Sequence, residues 1–253
     1  MSPTLPEMRT DWALFLDVDG TLLDFAITPE AVEVPPDLID NLGALRRILG
    51  GALALVSGRS IAALDRLFAP LRLPAAGQHG AELRNEVGSE MTGVAPPRHL
   101  TAVIARLREF AANHPGIVVE DKGVSVAVHY RQVPRYRGAV EAAARAAIGT
   151  DSTEMEVIPA AMAFDIKPRS ADKGQALAWF MRRPPFAGRL PVFIGDDRTD
   201  EDGFAAVAAH GREGRAGHAI QVGNRPRAAR WHIPAPADLR RWLRDCVMTH
   251  ASP

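Results

Sequence analysis

The stretch LFLDVDGTLLDF, residues 14–25, decides the fold and poses the main chemical question. Its apolar run ends on two aspartates, Asp17 and Asp19, and a Gly-Thr pair follows. Residues two apart on a strand point to the same side, which predicts that these carboxylates lie about 6–7 Å apart at Cα. Like charges this close repel each other unless a cation or a proton lies between them. The stretch is therefore either an ordinary surface turn or a metal-dependent active site.

The composition excludes several classes of protein. The 253 residues allow one large domain or two smaller ones, and 30 basic against 30 acidic residues give no net charge. That balance offers no electrostatic support for binding nucleic acid or a membrane surface. A single cysteine, Cys246, excludes internal disulfides and fits a reducing compartment. The N-terminus does not resemble a secretory signal, and no apolar run reaches the roughly 20 residues of a membrane span. We expect a cytoplasmic protein, and a monomer is compatible with the sequence.

Apolar runs alternate with helix-like stretches, which predicts an α/β fold with a largely parallel sheet. We predict strands near 13–18, 52–56, 75–78, 191–195 and 217–222, and helices near 36–49, 60–68, 172–182, 200–209 and 235–247. In open parallel sheets, sites form beyond the carboxyl ends of the strands. The strands near residues 13, 52 and 191 all end in polar or glycine residues, so the opening stretch lies where a site is expected.

The middle of the chain has a different pattern. A predicted helix at 97–113 precedes GIVVEDKGVSVAVHYR (116–131), which indicates two strands around a Lys-Gly turn. A second helix at 134–149 precedes another predicted strand pair, MEVIPAAMAFDIKP (155–168). Helix, hairpin, helix and hairpin form a small α+β unit. We therefore predict a core built from 1–92 and 169–253, with an α+β domain inserted at 93–168.

Three further stretches place reactive side chains at strand ends or helix starts. LVSGRS (55–60) offers Ser57 and Arg59 before a helix, where a hydroxyl and backbone N–H groups suit phosphate; the alternative is a helix cap with a surface arginine. SADKGQAL (170–177) puts Lys173 at a helix start, where the macrodipole disfavours cations; the alternative is a surface lysine.

The third stretch is VFIGDDRTDEDGF (192–204), which has the strongest signal. It carries five acidic residues within seven positions: Asp196, Asp197, Asp200, Glu201 and Asp202. An acidic first helical turn explains Asp200 and Glu201. It does not explain Asp196 and Asp197, which directly follow a predicted buried strand.

In chain order the sequence offers DxDGT, Ser-Gly-Arg, Lys and GDDxxD. This set resembles the haloacid-dehalogenase-like phosphatase superfamily over roughly residues 12–90 and 168–245. Four segments are further similar to those of trehalose-6-phosphate phosphatases: GQHGAE (77–82), VEDKGVSVAVHYR (119–131), FDIKPRSADKG (164–174) and GDDRTDEDGF (195–204). The resemblance implies a Rossmann-like core with a parallel sheet and an inserted α+β cap that closes over the site.

The resemblance also implies an activity and residue roles. It implies a Mg²⁺-dependent phosphatase that hydrolyses the sugar phosphate trehalose 6-phosphate to trehalose and phosphate through an aspartyl phosphate. Asp17 would be the nucleophile and Asp19 the general acid and base, while Ser57 and Lys173 would grip the phosphoryl oxygens. The implied metal ligands are Asp17, the backbone carbonyl of Asp19, and Asp196, with Asp200 holding a bound water. The implied substrate-binding residues are Thr21, Arg59, Glu120, Lys122, Arg131 and Asp165.

Several alternatives remain at this point. The same core could serve another sugar-phosphate phosphatase or a phosphomutase, because the core motifs are shared. A receiver-type phospho-accepting signalling module also uses clustered aspartates and a lysine, but such a single domain leaves the inserted unit unexplained. Without the resemblance to this family, the charged residues of the inserted hairpin would be interpreted as solvated surface charges. Family members usually carry Glu where Asp165 stands, and the roles of Asp197, His79 and Glu82 stay open.

Overall fold

A computed structural model of the chain describes residues 5–26, 31–86, 88–89, 91–149, 153–160, 162–210, 216–223 and 229–251. The chain divides into two compact units, one made of residues 1–92 and 172–253 and the other of residues 93–171. The role of the second unit as a cap stays a prediction.

The elements of the described residues follow one another along the chain in a pattern that alternates strands and helices. They are β1 (Trp12–Leu16), α1 (Pro36–Ile48), β2 (Leu53–Val56), α2 (Ile61–Leu67), β3 (Ala75–Gly77), β4 (Glu82–Arg84), β5 (Thr92–Gly93), α3 (Leu100–Ala112), β6 (Val118–Asp121), β7 (Val126–His129), α4 (Arg137–Ile148), β8 (Met155–Ala160), β9 (Ala163–Pro168), α5 (Lys173–Met181), β10 (Leu190–Gly195), α6 (Glu201–Ala209), β11 (His218–Val222), β12 (Trp231–Ile233) and α7 (Pro236–Ala251).

The larger sheet is mostly parallel, which confirms the predicted α/β class. Its strand order within the described residues is β12-β11-β10-β1-β2-β3-β4-β5. The central strand β1 pairs in parallel with both β10 and β2, so that Phe15 lies opposite Phe193 on one side and Ala54 on the other. Only β3 and β4 are described as an antiparallel pair in this sheet. The strands β4, β5 and β12, of two or three residues each, were not predicted.

Both faces of this sheet are buried, which explains why β1 is apolar throughout instead of alternating. Leu14 and Leu16 belong to one buried cluster, which also contains residues of α1 and α7. Phe15 and Phe193 belong to a second cluster, on the side of α5 and α6. A strand covered on both faces leaves only its ends for polar chemistry, so the reactive residues collect where the parallel strands stop.

The second unit contains a four-stranded antiparallel sheet in the order β6-β7-β9-β8. One face packs against α3 and α4 through Val126, Val128, Phe164 and Ile166. The order of helix, strand pair, helix and strand pair agrees with the prediction for this segment. Ala161, between β8 and β9 in the sequence, lies outside the described residues.

The contact between α6 and β10 leads to a stability prediction. A Cβ atom on Gly203 of α6 would lie 2.6 Å from Phe193 Cδ1. Alanine favours a helix over glycine by about 1 kcal/mol, whereas overpacking a core costs about 1–3 kcal/mol. We expect Gly203→Ala to lower the free energy of unfolding in a urea titration. Gly43→Ala is the control, because its Cβ would meet only Arg47 Nη1 at 3.9 Å and should stabilise α1. Equal shifts for both variants would contradict the packing argument.

Candidate active site

The turn after β1 places the first two aspartates. The strand ends at Leu16 and not at Val18, so the predicted strand 13–18 is two residues too long. The carbonyl of Val18 accepts the N–H groups of Leu22 at 3.0 Å and Leu23 at 2.9 Å, which closes a tight turn. Asp19 therefore lies in the turn, and strand alternation does not decide where its side chain points.

Gly20 of this turn brings the loop after β10 close to the loop after β1. Its φ angle is +84°, a left-handed conformation that side chains rarely adopt. A Cβ atom at this position would lie 2.7 Å from Asp196 Cγ. The glycine in DxDGT is therefore needed for its backbone conformation and for the close approach of Asp196.

A buried lysine forms the centre of the site. The Nζ atom of Lys173 donates hydrogen bonds to Asp17 Oδ1 at 2.7 Å and to Asp200 Oδ1 at 2.6 Å. Lys173 is the first residue of α5, where the helix dipole opposes a cation. The two carboxylates outweigh that effect, so the surface-lysine alternative is wrong.

A threonine links two of the carboxylates. The Thr21 hydroxyl lies 2.9 Å from Asp17 Oδ2 and 3.2 Å from Asp196 Oδ1. Because a hydroxyl has one hydrogen, it donates to one of these oxygens at a time. Thr21 thus fixes the orientation of both Asp17 and Asp196, and it is buried.

The two remaining aspartates of the GDDxxD motif organise its backbone. Asp200 Oδ2 accepts the N–H groups of Asp196 at 2.9 Å and Asp197 at 3.0 Å. Asp197 Oδ1 accepts the N–H of Thr199 at 2.7 Å. Asp200 is fully buried, and both of its carboxylate oxygens accept hydrogen bonds. A solvent-exposed acidic residue in the first turn of a helix would show neither property. Asp197 caps this turn, which gives it a structural role.

Burial dominates the electrostatics of the carboxylates. Removal from water raises the pKa of Asp17 to about 7, against the opposing effect of Lys173. Burial likewise raises the pKa values of Asp196 and Asp200 to about 7, and neighbouring aspartates add to both shifts. Burial alone would lower the pKa of Lys173, but Asp17 and Asp200 raise it well above its ordinary value. The one ammonium contacts Asp17 and Asp200 but not Asp196, so the three carboxylates, when ionised, carry an excess of negative charge.

The cluster fits a hard divalent cation. Asp17, Asp196 and Asp200 each offer a carboxylate oxygen, and these oxygens lie within 4.8 Å of one another. Carboxylate oxygens are the ligands that Mg²⁺ prefers, and a cation would offset the charge that burial penalises. Asp200 accepts hydrogen bonds from Lys173 and from two backbone N–H groups, which leaves its oxygens less accessible to a cation than those of Asp196, whose described side-chain contact is with Thr21.

The loop after β2 carries Ser57 and Arg59. The buried Ser57 Oγ accepts the N–H of Arg59 at 3.2 Å. The N-cap of α2 is Ser60, whose hydroxyl accepts the N–H of Ala63 at 3.2 Å, so the helix-cap alternative for Ser57 is wrong. The Arg59 side chain forms two hydrogen bonds of 2.7 Å with Asp19, which makes the surface-arginine alternative wrong as well.

The GQHGAE segment braces this loop. The N–H groups of Gln78 and His79 donate to the carbonyls of Arg59 and Ser57, both at 2.9 Å, and both residues have positive φ. Glu82 accepts the N–H of Ile61 at 2.7 Å and the Gln78 amide at 2.5 Å. These contacts give His79 and Glu82 supporting roles. Sequence reasoning missed this arrangement because the hydrogen bonds use backbone groups.

In the second unit, the sheet face opposite the helices is polar. Lys122 Nζ lies 3.1 Å from Asp165 Oδ1, and both side chains are largely buried. A hydrogen bond of 2.9 Å from His129 to Glu120 lowers the pKa of Glu120. Arg131 follows β7 and is half-buried. The burial of Lys122 and Asp165 does not fit solvated hairpin charges.

Comparison with protein families identifies the chain. The family model described as trehalose-phosphatase matches residues 15–237. The chain belongs to this family. The match spans the Asp17 turn, the loop after β2, Lys173 and the GDDxxD segment, as well as the whole second unit.

Known members of the trehalose-phosphatase family resemble the chain over most of its length. The trehalose-6-phosphate phosphatase of Escherichia coli K12 is 38% identical over 94% of this chain and 87% of its own. A probable trehalose-phosphate phosphatase of Sinorhizobium fredii is 44% identical over 80% of this chain and 77% of its own. The structure of the C-terminal domain of trehalose-6-phosphate phosphatase from C. albicans superposes with a TM-score of 0.82 at 19% identity, covering 94% and 92% of the two chains. This last similarity supports the fold. None of the helices in the described ranges is long and apolar enough to cross a bilayer.

The raised pKa of Asp196 predicts how the stability of the metal-free protein depends on pH. A carboxyl with a folded pKa of about 7 and an ordinary value of 3.8 binds more protons when folded, so its ionisation lowers stability as the pH rises between these values. Asp196→Asn cannot ionise. In EDTA at pH 8 we expect this variant to unfold at a higher temperature than the wild type. The expected gain in the free energy of unfolding is about 1–3 kcal/mol. The difference should shrink towards pH 5.

Asp40→Asn is the matched control, because it removes an exposed carboxylate from α1. The Asp40 variant should show no such pH-dependent difference. A difference for Asp196→Asn that is constant from pH 5 to pH 8 would contradict the assigned cost of burying its charge. Thermal unfolding followed by circular dichroism provides the measurement.

Proposed function

We propose that the chain is a Mg²⁺-dependent phosphatase that hydrolyses trehalose 6-phosphate to trehalose and phosphate. The observation that carries the proposal is the buried Lys173 ammonium between Asp17 and Asp200, in a chain of the trehalose-phosphatase family. A carboxylate with one oxygen held by an ammonium and the other by a hydroxyl has a fixed orientation, as a nucleophile requires.

In the first step, a carboxylate oxygen of Asp17 attacks the phosphorus of the substrate. A new P–O bond to Asp17 forms, and the P–O bond to the sugar breaks. The leaving sugar oxygen takes the electron pair of that bond and a proton from the Asp19 carboxyl group. The products of this step are free trehalose and an aspartyl phosphate on Asp17.

In the second step, a water molecule attacks the phosphorus of the aspartyl phosphate. Its oxygen forms the new P–O bond and its proton passes to the Asp19 carboxylate. The P–O bond to Asp17 breaks and returns its electron pair to the Asp17 carboxylate. Inorganic phosphate leaves, and both aspartates regain their starting protonation states.

Charge complementarity supports both steps. Ser57 Oγ and Lys173 Nζ donate hydrogen bonds to the oxygens of the transferring phosphoryl group, where preorganised donors stabilise developing charge. We assign the Mg²⁺ ligands as Asp17, Asp196 and the backbone carbonyl of Asp19, with Asp200 bonded to a coordinated water. When bound, the cation supplies positive charge that offsets the repulsion between these carboxylates and the phosphate.

The second unit would act as a cap that recognises the sugar. We assign the distal glucose to the polar sheet face that carries Glu120, Lys122 and Asp165, together with Arg131. Charged side chains held in place by ion pairs can bond to several hydroxyl groups without a large loss of side-chain entropy. Asp165 is shorter than the usual Glu, and its contact with Lys122 supports a role in orienting that lysine.

Other activities on the same core are weaker candidates. Another sugar-phosphate phosphatase or a phosphomutase would use the same four motifs, and a receiver module would retain the phosphoryl group. Phosphate release from a panel of sugar phosphates, with and without Mg²⁺, distinguishes these activities. Trehalose 6-phosphate should be the best substrate, and chelation of the metal should abolish its turnover. Transfer of phosphate to another sugar position would favour the mutase.

Asp17→Asn tests the nucleophile. An amide cannot attack phosphorus as a carboxylate does, so we expect only trace turnover of trehalose 6-phosphate. The substitution also removes a buried charge, and the melting temperature in EDTA should hold or rise. More than trace activity in a coupled phosphate assay would contradict the assignment. Asp40→Asn should retain wild-type activity.

Lys122→Ala tests the assignment of the sugar site. Loss of a charge-assisted hydrogen bond in a closed site costs about 2–4 kcal/mol, or roughly 30- to 1000-fold in kcat/KM. We expect a loss of this size in kcat/KM for trehalose 6-phosphate. The value for p-nitrophenyl phosphate, which contains no sugar, should change little. Arg131→Ala should behave in the same way. Equal losses on both substrates would mean that these residues serve the fold or the chemistry.

A further inference from the structure

The Arg59 side chain joins the loop after β2 to the turn after β1. Arg59 Nε and Nη2 donate to Asp19 Oδ2 and Oδ1, each at 2.7 Å. A guanidinium that meets a carboxylate through two parallel hydrogen bonds fixes both its position and the plane of its oxygens. The Arg59 side chain is 15% exposed and that of Asp19 is 30% exposed, so solvent reaches this pair only in part.

The backbone of Arg59 is itself fixed on two sides. Its N–H donates to Ser57 Oγ at 3.2 Å, and its carbonyl accepts the N–H of Gln78 at 2.9 Å. Glu82 holds Gln78 by a side-chain hydrogen bond and also accepts the N–H of Ile61, at the start of α2. The guanidinium therefore extends from a rigid base. A guanidinium with a fixed backbone is suited to hold the Asp19 carboxylate in one orientation, and less suited to adjust to a ligand that moves.

Asp19 needs such support more than Asp17 does. Asp17 directly follows β1, and Lys173 and Thr21 contact its two oxygens. Asp19 lies in the turn, two residues further from the strand. A proton donor must point at the leaving oxygen, and small errors of orientation in a reacting group reduce rates strongly.

We propose that Arg59 is a positioning residue that orients the Asp19 carboxyl group for proton transfer. This inference rests on the proposed function and replaces the earlier expectation that Arg59 binds substrate. Arg59 takes no part in bond making. It holds the side chain that gives a proton to the leaving sugar oxygen in the first step and takes a proton from water in the second.

The test uses pre-steady-state kinetics of the full chain with Mg²⁺ and two substrates. The p-nitrophenolate leaving group needs little protonation, so its release tests the first step without Asp19. In Arg59→Ala we expect a burst of about one equivalent of p-nitrophenol followed by slow turnover, because water attack on the aspartyl phosphate is impaired. With trehalose 6-phosphate, kcat should fall by roughly 10- to 100-fold and KM should change little.

Two further variants test the coupling to Asp19. Asp19→Asn should give the same burst, and adding Arg59→Ala to it should cause no further loss of rate, since both changes act on one group. Guanidinium ion in the buffer should restore part of the kcat of Arg59→Ala but not that of Asp19→Asn. Arg59→Lys should recover little, because an ammonium lacks the planar fork of parallel N–H groups that matches the two oxygens of a carboxylate. Arg66→Ala, at an exposed position of α2, is the matched control and should behave as the wild type.

The outcomes separate the inference from the proposed function. A raised KM with normal kcat in Arg59→Ala would make Arg59 a substrate ligand. Additive losses of rate in the double variant would show that Arg59 does not act through Asp19. Either result overturns the inference. If Asp19→Asn itself shows neither a burst nor a loss of rate, the acid–base assignment of the proposed function fails instead. Should Arg59→Ala unfold, Arg59→Lys provides the same comparison of burst, kcat and KM.

Discussion

The site depends on one buried ammonium that two carboxylates share. Lys173 neutralises part of the charge that Asp17 and Asp200 carry, and neither carboxylate could remain ionised in its buried position without it. The three residues come from the end of β1, the start of α5 and the turn after β10. The same ion pairs therefore join the elements of the core and set the orientation of Asp17, the proposed nucleophile. The requirements of the fold and of the proposed chemistry coincide at this lysine.

Much of the architecture could be predicted from the sequence because it depends on local patterns. In the core, the apolar runs and the helix-like stretches are long enough to identify β1, β10 and the helices around them. The loss of alternation in β1 follows from its burial on both faces. The short strands β4, β5 and β12 left no such pattern. Each of them lies beside the strand that precedes it in the chain, so its position depends on the connecting segment and not on its own residue pattern.

The site was predictable to the extent that residue types alone indicate chemistry. Two aspartates after an apolar run, and two more after another, indicate a cation or proton site wherever the strands meet. What the sequence does not contain is which side chain contacts which. The family resemblance implied that Arg59 binds substrate, and in the structure its guanidinium contacts Asp19. The loop that carries Arg59 is held by hydrogen bonds from the backbone of residues 78 and 79. Both residues have a left-handed conformation, which their residue types, Gln and His, do not indicate.

The central position of β1 has a consequence for how the chain folds during synthesis. One of its two neighbours, β2, follows within about 40 residues, but the other, β10, lies nearly 180 residues further along the chain. Until β10 leaves the ribosome, one edge of β1 lacks its partner, and Asp17 lacks Asp196 and Asp200, which follow β10. The second unit is a continuous segment with mostly local strand pairs, so it can complete its fold earlier. The nascent core is consequently the part most exposed to wrong pairing, and a chain that stops before residue 190 lacks β10 and with it Asp196 and Asp200.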